Sequence, residues 1–185
     1  MHSTFRWNMC ARTAALTAEA HCLIAIPTNA CSCPETFPRG VNTVTHIHCN
    51  GIELEHEWIG APTGEPLLLL PGHEGQLIWW PDGLCEQLVS RGFRLLRYDN
   101  RDSGLSTHMD DRPPPDLRAA AQGDFASLPY SLADLADDAA ALLDALEVPS
   151  AHLLGHVMGG MVAQLLATRH PARVRSLCFV SAGAN

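Results

Sequence analysis

The chain has 185 residues, 46% of them hydrophobic and 17% charged, which is apolar matter enough for one packed domain and too much for a disordered chain. Twelve basic residues, all Arg, stand against twenty acids for a net charge of −8. That balance excludes nucleic acid and anionic membrane surfaces as main partners, since both demand a basic footprint, and no apolar run approaches the length of a membrane span.

Residues 1–40 carry three Arg against Glu19 and Glu35, and hold four of the seven cysteines: Cys10, Cys22, Cys31 and Cys33. The segment has no sustained periodicity, and Pro27, Pro34 and Pro38 interrupt its second half. It makes a poor secretory signal, because Glu19 and His21 break the apolar stretch 14–26. His21, Cys22, Cys31 and Cys33 invite a zinc reading, but a lone Cys-x-Cys lacks the paired spacing that closes a tetrahedral site. The segment therefore reads as an irregular or flexible extension, or as translation from a start codon placed too far upstream. No metal and no cofactor is expected. The odd, scattered set of cysteines reads as reduced thiols, which points to a cytoplasmic setting.

From residue 41 to residue 185 strand and helix patterns alternate. Runs 45–49 and 52–59 are strand-like and joined by Asn50-Gly51, the strongest short hairpin signal. Residues 67–70, four leucines between Pro66 and Pro71-Gly72, predict a strand buried on both faces. A helix is predicted over 77–91 with Leu84, Cys85 and Leu88 on one face, then a strand over 93–98. Residues 109–129 are a polar connection containing Pro113-Pro114-Pro115. Ser131 opens a helix with Asp134 three residues on, in capping-box spacing, and Leu132, Leu135, Leu142, Leu143 and Leu146 hold its helical period. A short strand at 151–154, a helix at 158–169 and a strand at 174–180 complete the pattern. The order β-β-β-α-β-α-β-α-β means a mostly parallel sheet with right-handed crossovers and flanking helices, an α/β fold.

The sharpest motif is Gly155-His156-Val157-Met158-Gly159-Gly160, set between a strand and a helix. That context belongs to the nucleophile elbow Gly-x-Ser-x-Gly, where glycines permit a tight strand-to-helix turn. With it go the stretch 67–75 (Leu-Leu-Leu-Leu-Pro-Gly-His-Glu-Gly) and the turn Asp99-Asn100-Arg101-Asp102-Ser103-Gly104. Together, and in this order, they resemble the α/β-hydrolase fold family over roughly residues 41–184, and within it the aclacinomycin methylesterase-like serine hydrolases. The resemblance implies the N-terminal half of such a domain and an ancestry in carboxylic-ester hydrolysis. It implies Val157 at the nucleophile position, the backbone N–H groups of His73 and Met158 as oxyanion donors, and a substrate cleft at Gly72, His73, Trp79 and Met158. His156 is then turned from substrate, and Asp99, Arg101 and Asp102 form a structural brace. Trp79 and Trp80 are expected as core and cleft wall, and His46 and His48 as an exposed strand edge.

Two departures matter. Valine has no lone pair and no proton to lose, so it forms no acyl-enzyme. The chain also stops at Asn185, just after the family's sixth strand, and in family order the acid and His follow later. The expectation is a chain inactive by itself, a pseudoenzyme in ester-hydrolase form. The alternatives are a fragment of an active ester hydrolase, or a module that binds a small ester-like or apolar ligand in the hydrolase cleft. Two physical expectations follow: an elbow that either relaxes toward an ordinary turn or stores strain at Val157, whose family conformation has positive φ, and self-association through an exposed sixth strand.

Overall fold

The computed structural model describes residues 45–73 and 75–182; the expectations for residues 1–40 lie outside them. A hairpin comes first, β1 (Thr45–Cys49) and β2 (Ile52–Ile59), paired antiparallel with Cys49 opposite Ile52. Asn50 and Gly51 both hold positive φ, 48° and 76°, as a turn matching the strand twist requires. The sheet continues with β3 (Glu65–Leu70), β4 (Phe93–Tyr98), β5 (Ala151–His156) and β6 (Val174–Val180). Its order is β1-β2-β4-β3-β5-β6, with the β4, β3, β5 and β6 neighbours all parallel. Four helices, α1 (Asp82–Ser90), α2 (Leu117–Ala121), α3 (Leu132–Ala145) and α4 (Met158–Arg169), connect the later strands.

The four leucines of β3 show how the sheet is covered on both sides. Leu68 and Leu70 join the larger core with Leu96, Leu153 and the inward faces of α3 and α4, including Leu142 and Leu166. Leu67 and Leu69 point the other way, into a smaller cluster with Cys85 of α1, Leu95, Leu154 and Cys178. A strand buried on both faces loses the polar alternation of a half-exposed one. At the start of α3, Ser131 and Asp134 close the expected capping box.

Several expectations are corrected. The helix expected over 77–91 is a 3-10 turn at Leu77–Trp79 followed by α1, because Pro81 cannot continue a helix and instead caps the second piece. Leu84 consequently points outward, and Trp79 is 64% exposed and not a core residue. The connection 109–129 contains α2, whose first turn is capped by the Asp116 carboxylate. Cys49 and Cys85 are free and buried, as expected of reduced thiols, and burial pushes the Cys49 thiol up to about 11; Cys178 is disulfide-bonded, which corrects the reading of every cysteine as a reduced thiol.

Candidate active site

Three turns converge at the carboxyl end of the parallel strands. The sharpest joins β5 to α4 through one residue, Val157, at φ 51° and ψ −112°. Its N–H donates to Val180 O at 3.0 Å and its carbonyl accepts from Gly160 N–H at 3.0 Å. The turn is tight because small residues let α4 approach the sheet: a Cβ on Gly159 would run into the carbonyl of Leu70. Val157 is 40% exposed, standing at the N-terminus of α4, where unpaired N–H groups and the helix dipole favour negative charge.

The second turn follows β3. Gly72 is buried against the elbow, since a Cβ there would lie 3.2 Å from His156 O and 3.7 Å from the Val157 Cβ. Gly75 N–H donates to Gly72 O at 3.1 Å, folding the loop back, and His73 is exposed at its tip. The His156 ring meets Trp80 edge-on, with centroids 6.5 Å apart and planes at 72°. Trp80 packs in turn against the smaller core cluster, so one edge of the exposed His156 imidazole rests beside an aromatic wall.

The third turn follows β4 and is organised by Asp99. Its buried carboxylate accepts from Leu77 N–H at 2.6 Å and from Leu105 N–H at 3.1 Å, tying the loop after β3 to the loop after β4. Gly104, at φ 58°, is where the chain passes so near this carboxylate that a Cβ would collide with it. Ser106 Oγ donates to Asp99 O at 2.7 Å and accepts from Glu55 N–H at 2.9 Å, which fastens the turn to β2. Arg101 grips Asp138 of α3 in a two-pronged pair at 2.6 and 2.5 Å, and that hydrogen bonding raises the guanidinium pKa further. Asp102 accepts from Met109 N–H at 3.2 Å and from the Tyr130 hydroxyl at 3.4 Å. All three side chains thus brace the turn, as the sequence reading expected.

The structure brings Gly72, His156 and Val157 together, with Met158 the next residue and His73 beside Gly72. Trp79 projects from the 3-10 turn that Asp99 anchors, and with Ile78, Leu105 and Val157 it is one of four exposed apolar side chains on these turns. A concavity of about 360 Å³ lies elsewhere, bounded by Asp102, Met109, Arg112, Pro113 and Pro129, and contains none of His73, Trp79 or Met158. His46 and His48 are exposed on edge strand β1, and among the described residues no group of three or more His, Cys, Asp or Glu is placed to hold a metal ion. No helix among the described residues is long and apolar enough to cross a membrane.

Sequence reasoning missed Asp138. It lies three residues after Leu135 and four before Leu142, on the buried face of α3, and receives Asn50 Nδ2 at 2.6 Å as well as Arg101. An acid in apolar register was the signal. The buried Glu57–Arg97 pair, 2.7 Å across β2 and β4, carried a weaker one, because cross-strand neighbours appear only once the register is known.

A sequence model of the alpha/beta hydrolase fold matches residues 65–185. The chain is 38% identical over 133 residues to rhodomycin D methylesterase DauP of Streptomyces sp. (strain C5), covering 72% of this chain and 40% of that protein. It is 37% identical over 129 residues to a Variovorax paradoxus (strain S110) protein with the provisional name carbamate hydrolase RutD, covering 70% of this chain and 42% of that one. Among solved structures it is similar to a hydrolase from Pseudomonas aeruginosa PA01, with 35% identity and a TM-score of 0.56 over 75% of this chain and 45% of that chain. The enol-lactonase of Burkholderia xenovorans LB400 gives 28% identity and a TM-score of 0.56 over 70% of this chain and 44% of that one. The chain thus spans less than half the length of these relatives. The fold, the order of its turns and these similarities agree: the chain belongs to the alpha/beta hydrolase fold family.

Proposed function

We propose that this chain is a catalytically silent relative of carboxylic-ester hydrolases, a pseudoenzyme that keeps the scaffold of acyl transfer without its nucleophile. The observation that carries this reading is Val157 at the summit of the elbow, with φ 51° and ψ −112°. A nucleophile there must offer an electron pair to an acyl carbon, and an isopropyl group has none. The backbone N–H groups of His73 and Met158 are the proposed oxyanion donors, acting beside Gly72. Such donors polarise a carbonyl only after a substrate is seated, and without a covalent partner their contribution is far below that of a complete triad. The ester class is proposed from the methylesterase and lactonase relatives, whose substrates share an acyl–oxygen bond.

The test is turnover of short-chain p-nitrophenyl esters by the purified 185-residue chain, with Val157→Gly as a matched control. The expected result is a rate equal for both and indistinguishable from buffer. Saturable turnover above buffer by the parent chain, kept or lost in Val157→Gly, would overturn the proposal.

A second reading is favoured by the exposed Ile78, Trp79, Leu105 and Val157. Exposed apolar side chains grouped on neighbouring turns mark binding surfaces. In that reading Gly72, His73, Trp79 and Met158 line a site for a small ester-like or apolar ligand, which binds and leaves unchanged.

A further inference from the structure

Asn50-Gly51 is the one Asn-Gly step in the sequence, and it forms the tip of the hairpin between β1 and β2, with both residues exposed. A glycine after asparagine leaves its own nitrogen unshielded, because no Cβ stands beside the path to the asparagine side chain. The surroundings are open as well: a Cβ on Gly51 would find nothing within 4 Å. Asparagine amides are chemically labile, and at such a step the side-chain carbon and the next backbone nitrogen close a five-membered ring.

One contact opposes that closure. Asn50 Nδ2 donates to Asp138 Oδ1 at 2.6 Å, and among the described residues Asp138 is the one partner of this side chain. Asp138 is 1% exposed and is itself held by Arg101 through bonds of 2.6 and 2.5 Å, so it is a fixed acceptor. Ring closure needs the amide to leave α3 and turn its carbon toward the Gly51 nitrogen, which breaks this bond. The departing nitrogen must also take up a proton, and a carboxylate paired with Arg101 has none to give.

We infer that Asn50 is a deamidation site of this chain and that Asp138 sets how long its amide survives. The Gly51 nitrogen gives up its proton to water and bonds to Asn50 Cγ; the Cγ–Nδ2 bond breaks, and the nitrogen leaves as ammonia with a proton from water. A water molecule then opens the ring, so the net change is one water consumed and one ammonia released. Opening at one carbonyl gives aspartate; opening at the other gives isoaspartate, whose main chain runs through the side-chain carbon. Either product has lost the amide donor and carries a new carboxylate near Asp138, where like charges repel. Modification therefore releases the β1–β2 turn from α3 and leaves the Arg101 pair in place.

The test is peptide mapping by mass spectrometry of the 185-residue chain held at mildly alkaline pH, folded and unfolded in guanidinium chloride, with Asp138→Ala alongside. Asn100, buried and followed by Arg101, is the internal control. Conversion at Asn50 is expected in both states, slower in the folded chain by about ten- to a hundredfold, the range for one hydrogen bond to a charged group. Asp138→Ala, folded by circular dichroism, is expected to convert at a rate near that of the unfolded chain. Equal rates in the folded and unfolded parent, a folded rate that Asp138→Ala leaves unchanged, or conversion at Asn100 to the same extent would each overturn the inference. So would a folded chain with no product at Asn50 after about a hundred half-lives of the unfolded one. If Asp138→Ala fails to fold, the parent decides: its deamidated form, separated by anion exchange, is expected to melt at a lower temperature, and equal melting temperatures would overturn the inference.

Discussion

Val157 pays a conformational penalty that no neighbour in the elbow relieves. A β-branched side chain at φ 51° sits in a region that sterics close to all but glycine, at a cost of about 1–3 kcal/mol. Sequence left two outcomes open, a relaxed turn or a strained one, and the structure has the strained one. Val157→Gly removes the Cβ clash and is expected to raise the melting temperature; relief of about 1 kcal/mol corresponds to about 2–4 °C in a chain of this size. An unchanged or lower melting temperature, read by differential scanning calorimetry, would contradict the strain argument. The turn holds this geometry because its other positions over-determine it: Gly159 under Leu70 O, Val157 N–H on Val180 O, and Gly160 N–H on Val157 O.

Elements carried most of what was legible. The Asn50-Gly51 hairpin, the leucines of β3, the Ser131–Asp134 box and the elbow glycines each encode a local geometry that has few alternatives. Where the reading failed, a second influence competed with the pattern. Apolar spacing runs on from Leu77 to Leu88, but Pro81 divides it; α2 is five residues held by one cap, too short to show a period. Asp138 was invisible for another reason, because its partners Asn50 and Arg101 are 88 and 37 residues away in sequence. It links the β1–β2 turn, the turn after β4, and α3. Removing one member of a buried charged pair leaves the other uncompensated, so Asp138→Ala is expected to cost about 3–5 kcal/mol in urea unfolding. A loss below about 1 kcal/mol would assign the stability of that corner to packing alone.

For the molecule as a whole, pH is a sensitive lever. Burial lowers the pKa of His56 and of His152 below the ordinary 6.5. Between those lowered values and 6.5 the unfolded chain binds more protons than the folded one, so stability is full above 6.5 and falls as pH drops through that window. Glu55 acts in the opposite sense: burial raises its pKa above 4.5, so it opposes the histidines only nearer that value. The melting temperature is expected to fall from about pH 7.5 to about pH 5.5, and His56→Gln to flatten the fall. A flat or rising profile for the parent chain would contradict the assignment of neutral, buried His56.

The turns after β3 and β4 are tied together by Asp99, and the elbow rises at the N-terminus of α4 with Val157 at its summit, the arrangement on which the proposed silent acyl-transfer scaffold rests. The most direct measurement is the intact mass of the chain after incubation with a fluorophosphonate, which forms a covalent adduct only with an activated nucleophile. The account predicts the unmodified mass. A single adduct mapped to a serine of this chain would contradict it, and would place a working nucleophile away from the elbow.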